Sequence, residues 1–314
     1  MSNSEKIDIV SGGFAASFRP QLGGNLVRLQ HLESGVEILR TPPDDATYNK
    51  QPEVWGMPVL MPPNRIPDGK FTYQDRQYEL PVNEPAPRHN CLHGILLRKA
   101  WDFRQTSENS VEMSIQYPGK AANEGWMHTF EAVLSYDFFE NNVKQTLRFV
   151  NTSDLTMPLM VGFHSAFYLN EKAEFYLDAS RESRMLDDLR KIVNGKTEML
   201  AEWQQFRKIA HGERVLGHCA MLRGNKENAE LLIRYQPDAW QLRYQLPAPW
   251  REWVIWNGTG EDGFICVEPQ SCRIDAMNIT LPLSEAGVIE LSPGEEATFH
   301  ANIKMEKLSD DFSN

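Results

Sequence analysis

Apolar and polar residues alternate over short distances along most of this chain, and the period is two. In Val111-Glu112-Met113-Ser114-Ile115 and Glu131-Ala132-Val133-Leu134-Ser135-Tyr136, every second residue is apolar, as in a strand with one buried face. Similar alternation, or a β-branched run bounded by turn residues, recurs at 7–10, 13–18, 142–150, 230–235, 253–256 and 298–305. Such runs from end to end predict a mostly antiparallel protein in which two stacked sheets bury their apolar faces. Helix is expected to be scarce. Segments 180–190 and 199–208 have helical composition but no sustained apolar stripe. The proline-rich stretches 41–45 and 83–87 are expected as loops within one domain, because strand signals resume on both sides. A single all-β domain over 1–314 is the expectation, with a polar tail after Leu308 that frays.

Composition narrows the function classes. At 314 residues the chain can bury a large core, and its 41% hydrophobic and 24% charged content is ordinary for a globular protein. A formal net charge of -11 argues against a nucleic-acid or anionic-membrane surface, since both need clustered Lys and Arg. No window reaches transmembrane length, and Met1-Ser2-Asn3-Ser4-Glu5-Lys6 leads into strand-like sequence without an export stretch, so the cytoplasm is expected. Cys91, Cys219, Cys266 and Cys272 form no C-x-x-C pair; zinc spacing is absent and reduced thiols are expected.

Four polar clusters stand against apolar sequence. Glu268 lies in Phe264-Ile265-Cys266-Val267-Glu268-Pro269, where burial of a carboxylate is costly unless something holds it. Pro269 cannot donate to a ladder, so the strand is expected to stop there at the mouth of a cleft. Glu268 is then a candidate general base or a strand-end ion pair. Asn64 and Arg65 sit on a loop stiffened by Pro62, Pro63 and Pro67; Arg65 offers five fixed donors to hydroxyls or a phosphate, or else binds loop carbonyls. His89 and His93 are four apart, but Pro85, Pro87 and Gly94 disfavour a shared helix face, which leaves His93-Gly94 as either a ligand contact or a backbone-bonded histidine. His164 interrupts the apolar run Pro158–Leu169 and is either a satisfied core histidine or a general acid on a cleft floor. Its neighbours Phe163, Phe167 and Tyr168 offer a stacking face for a sugar ring.

Taken in order, Asn64-Arg65, His93-Gly94, Gly162-Phe163-His164, Glu268-Pro269 and Asp275-Ala276-Met277-Asn278 resemble the aldose 1-epimerase (galactose mutarotase) family. The segment Leu291-Ser292-Pro293-Gly294-Glu295 is similar to that family's L-x-P-G-E ending. The resemblance implies a large antiparallel β-supersandwich and a small-molecule sugar as partner. It also implies cofactor-independent interconversion of α and β anomers, with Glu268 as base and His164 as acid. Arg65, His93 and Asn64 would hold the ring oxygen and hydroxyls, and no metal is required. Two positions depart from the family pattern. Ile95 follows Gly94 where H-G-G is common. Gly217, in Val215-Leu216-Gly217-His218-Cys219, aligns with an aspartate that binds sugar hydroxyls in many members, so a broad preference among aldoses is expected.

Two rival readings accompany this one. A non-catalytic carbohydrate-binding or sensing protein would keep the cleft and lose the acid–base pair. A mutarotase for phosphorylated hexoses would need a second basic residue beside Arg65, for which Arg88, Arg98 and Arg243 are the candidates.

Overall fold

The computed structural model describes residues 6–179, 181–183, 192, 198–199, 205–220, 228–236 and 239–309. Among the described residues the period-two pattern is realised as two eight-stranded antiparallel sheets. Strand Thr129–Phe139 buries Phe130, Ala132, Leu134, Tyr136 and Phe138 and leaves the residues between them partly exposed. A two-residue turn with Asn141 at φ 56 reverses it into Asn142–Asn151; asparagine tolerates that left-handed conformation. The first sheet runs in the order Glu174–Leu177, Asn228–Tyr235, Trp240–Pro247, Glu296–Lys307, Asn142–Asn151, Thr129–Phe139, Ser110–Pro118 and Asp102–Ser107.

The second sheet runs Glu198–Met199, Arg181–Ser183, Leu216–Ala220, Glu252–Trp256, Phe264–Gln270, Gly162–Phe163 and Val59–Leu60, and Ser165–Tyr168 also pairs with Phe264–Gln270. Aromatic rings join the two sheets. Tyr244 of the first lies 5.2 Å from Phe167 and 6.2 Å from Trp253 of the second. Trp250 lies 5.4 Å from Phe163 and 5.0 Å from Phe299. An N-terminal three-stranded sheet, Ile7–Ser11, Phe14–Arg19 and Asn25–His31, packs on the first sheet through Phe18 on Tyr136 and His31 on Trp240.

The second sheet has two chemically distinct faces. Trp253, Ile255, Ile265 and Val267 belong to the main core. Val254, Trp256, Phe264 and Cys266 alternate with them and form small clusters on the other face. That outer face carries the chemistry.

Helix is confined to short pieces among the described residues, Asp45–Lys50 and Leu283–Ala286. Asp44, expected in a loop, caps the first by accepting from the Thr47 amide at 2.7 Å. The two segments of helical composition do not form helix where they are described. Residues 181–183 and Met199 lie in strands, Arg207 bridges antiparallel to Phe175, and 205, 206 and 208 are irregular; the rest of both segments lies outside the described residues. Pairing with a neighbouring strand overrides a weak local propensity.

Candidate active site

Glu268 does not end its strand. Phe264–Gln270 continues through Pro269, which lies opposite Trp253. The missing N–H is accommodated on the other side. There the ladder pairs Ser165 with Val267 and Gly162 with Gln270, and lapses between them in unchanged register. That register sets His164 directly across from Glu268, and residues directly opposite in a sheet project to the same face. The outcome is a contact of 3.2 Å between His164 Nε2 and Glu268 Oε1, with both side chains buried. Trp256, one row away, meets the His164 ring nearly edge-on at 6.0 Å.

Asn64, Arg65 and His93 arrive from a two-stranded ladder in which Arg65–Pro67 pairs with Asn90–Leu92. Asn64 and His93 sit side by side at its end, both left-handed (φ 58 and 61), and the His93 amide donates to Asn64 O at 2.8 Å. Gly94 follows at φ 71, where an added Cβ would lie 1.9 Å from the Met61 carbonyl oxygen. Only glycine fits. Ile95 then donates its amide to Met61 O and buries its side chain in the core, so the family's second glycine is not needed here. These turns bring the His93 ring to 5.0 Å from His164 in an edge-to-face arrangement.

Arg65 is held by a residue the sequence reading overlooked. Its Nε and Nη2 donate to the two carboxylate oxygens of Glu84 at 2.9 and 3.0 Å. Arg88 Nη1 and Asn90 Nδ2 donate to the same carboxylate at 2.7 and 2.8 Å. Burial alone would raise the Glu84 carboxyl, but these bonds outweigh it and bring it down to about 2. The only sequence signal was an acidic residue beside Pro85 in a stretch read as a loop.

Burial dominates the ionisation of the central pair. It pushes Glu268 up to about 8, against the Arg65 charge, which favours the carboxylate. It takes His164 down to about 3, with Arg65 contributing in the same direction. His93 falls well below its ordinary value through burial, His164 and Arg65. The two values are pushed apart as acid–base work requires, but in the opposite order to that expected. Both shifts favour the neutral forms, a protonated carboxyl facing a neutral imidazole. Asn64 Oδ1, His93 Nδ1, His164 Nδ1, Glu268 Oε2 and both amide atoms of Gln270 are buried with no hydrogen-bond partner among the described residues. Buried polar atoms left unpaired are costly. Their concentration around one pair makes this cluster the candidate binding site.

Other expected residues lie elsewhere. His89 is exposed and bonded to Asp68 at 2.9 Å. Phe163 and Phe167 face the core, against Trp250 and Tyr244, so the ring beside His164 is Trp256. Gly217 pairs with Ile255, which pairs with the core-facing Val267, whereas Glu268 pairs with Val254. Position 217 is therefore on the face opposite Glu268, and a Cβ there would meet Glu182 Oε1 at 2.3 Å. The inference of broad specificity from Gly217 loses its basis. Arg98 binds Asn49 O, and Arg243 is engaged by Glu230 and Glu306 in the first sheet. Among the described residues no three His, Cys, Asp or Glu side chains are grouped to hold a metal, and no helix is long and apolar enough to cross a membrane.

Comparison with known proteins agrees with this architecture. A galactose mutarotase-like protein from Clostridium acetobutylicum superposes with a TM-score of 0.86 at 27% identity, covering 98% of this chain and 96% of that one. The GalM/aldose epimerase homologue from C. elegans shares the fold, with a TM-score of 0.80 at 13% identity over 98% of this chain and 100% of its own. The uncharacterized protein YihR of Escherichia coli (strain K12) is 36% identical over 61 residues; that match spans 19% of this chain and 20% of YihR. The family model for aldose 1-epimerase matches residues 5–304, and the chain belongs to that family.

Proposed function

We propose that this protein is a cofactor-independent aldose 1-epimerase that interconverts the α and β anomers of a hexose. The observation that carries the reading is the buried His164–Glu268 pair at 3.2 Å, ringed by polar atoms of Asn64, His93 and Gln270 that have no partner among the described residues. Glu268 is the base and His164 the acid; Arg65, His93 and Asn64 bind the ring oxygen and hydroxyls.

The proton inventory fits. A protonated carboxyl facing a neutral imidazole contains the same protons as a carboxylate facing an imidazolium. Sugar hydroxyls entering beside Arg65 favour the charged form by hydrogen bonding to it, moving the proton from Glu268 to His164. The carboxylate then takes the proton of the anomeric hydroxyl as the imidazolium gives one to the ring oxygen. The bond between the anomeric carbon and the ring oxygen breaks, leaving an aldehyde and a new hydroxyl. Rotation beside the carbonyl and closure on the other face, with acid and base exchanged, give the opposite anomer and restore the pair. His93 and Arg65, neutral and cationic respectively, polarise without competing for that proton.

Neither rival is favoured. A binding protein has no use for a buried pair poised over one proton. For a phosphosugar enzyme, Arg88 does lie near Arg65, but the two are already bridged by Glu84. The test is polarimetry of freshly dissolved anomers. Glu268→Gln keeps the shape and cannot accept a proton, so it is expected to lower turnover by ~10²–10⁴-fold. Near wild-type interconversion by that variant would remove the assignment.

A further inference from the structure

We infer that Glu84 is the positioning residue of this site: it aims the Arg65 guanidinium and tempers its charge, so that Arg65 binds a sugar hydroxyl without locking Glu268 as a carboxylate. The inference rests on the function proposed above and deepens it.

The geometry is specific. Glu84 takes Arg65 side-on through Nε and Nη2, which leaves the Nη1 end of the fork for another acceptor. Glu84 is itself fixed. Its backbone exchanges hydrogen bonds with Asn90 (Glu84 N to Asn90 O 3.1 Å, Asn90 N to Glu84 O 3.2 Å), and the Asn90 amide holds one carboxylate oxygen. Asn90 lies on the strand that pairs with the Arg65 strand, so donor and acceptor are tied to one small frame. Arg88, half exposed, supplies a second cation to the same carboxylate. A guanidinium at a buried site can be aimed in this way only by a partner that is held from several sides.

The charge argument follows from what surrounds the reacting pair. His164 faces Glu268 from the adjoining strand, His93 faces His164 from the small ladder, Arg65 acts on all three, and Cys266 lies on the Glu268 strand. Arg65 is the cation that acts on Glu268, and its charge is offset by Glu84. Without that offset the carboxylate form of Glu268 would be stabilised further, and the proton needed for exchange would be held less readily.

The experiment uses the full-length protein with ¹³C-labelled glutamate side chains. The Glu268 resonance is identified by its loss in Glu268→Gln. Glu84→Gln is expected to lower the Glu268 titration by roughly one pH unit and to raise KM for the sugar by about tenfold, with a smaller change in kcat. Glu84→Asp keeps the charge, so the titration should stay in place while KM rises because Arg65 is mis-aimed. Arg88→Gln, at a half-exposed position, should move the titration upward by removing a competing cation. An unchanged Glu268 titration in folded Glu84→Gln, or a downward or absent shift in Arg88→Gln, overturns the inference. The titration is read without turnover. Absence of anomer interconversion would therefore count against the proposed function, and an unmoved titration against Glu84.

Discussion

Raising the pH should switch the proposed epimerase activity off. The reaction as written needs one proton on the His164–Glu268 pair, whichever of the two holds it at rest. Loss of that proton is governed by Glu268, at about 8, and gain of a second by His164, at about 3; the pair titrates as a unit between those limits. The fraction of protein holding the working proton is therefore nearly complete at pH 6. It falls to about half at pH 8, to about a tenth at pH 9 and to about a hundredth at pH 10, tenfold per unit. The sign is fixed by the direction of the Glu268 shift: a raised carboxyl holds its proton through neutrality and gives it up in mild alkali. The quantity to measure is kcat/KM, which reports the free enzyme. Polarimetry from pH 6 to 10 supplies it, with the enzyme-free rate subtracted at each point. A profile flat to pH 10, or one that rises through pH 8, would refute the reasoning, because a rise is what a lone glutamate base gaining activity on ionisation would give.

Three further outcomes follow from particular contacts. His93→Asn should raise KM more than His164→Asn, and His164→Asn should lower kcat more, since His93 enters from the turn beside Asn64 and His164 is the cross-strand partner of Glu268; the opposite ranking reverses the two roles. Gly94→Ala should cost about 3 kcal/mol or more in urea unfolding, because its Cβ would lie 1.9 Å from the Met61 carbonyl at a left-handed φ; wild-type stability would show that the turn is not constrained. Glu268→Gln should gain stability over the natural protein between pH 5 and pH 9, by about 4 kcal/mol. A carboxyl raised from 4.5 to about 8 stabilises the fold only while protonated, so the natural protein loses that contribution as pH rises and the amide does not. Thermal melts at the two pH values decide it.

The amino-acid sequence alone determined the class of fold. A period-two pattern needs no tertiary information, because alternate side chains of a strand point to opposite faces whatever it pairs with. It also determined the candidates, because Glu268 and His164 each stand in apolar runs where an unexplained polar group is conspicuous. What it did not contain was register. Whether Pro269 ends a strand or lies inside one depends on whether the neighbouring strand needs its N–H, and that neighbour, Gly162–Tyr168, is about a hundred residues away. That pairing put His164 across from Glu268, and the ladder of 216–220 on 252–256 on 264–270 turned Gly217 to the other face. A one-residue difference in register moves a side chain from one side of a sheet to the other. Glu84 was invisible for a related reason: a buried carboxylate and its guanidinium partners are recognised only when folding brings them to hydrogen-bonding distance. The order of the two pKa values also came from tertiary structure, since desolvation is a property of the surroundings and not of the residue.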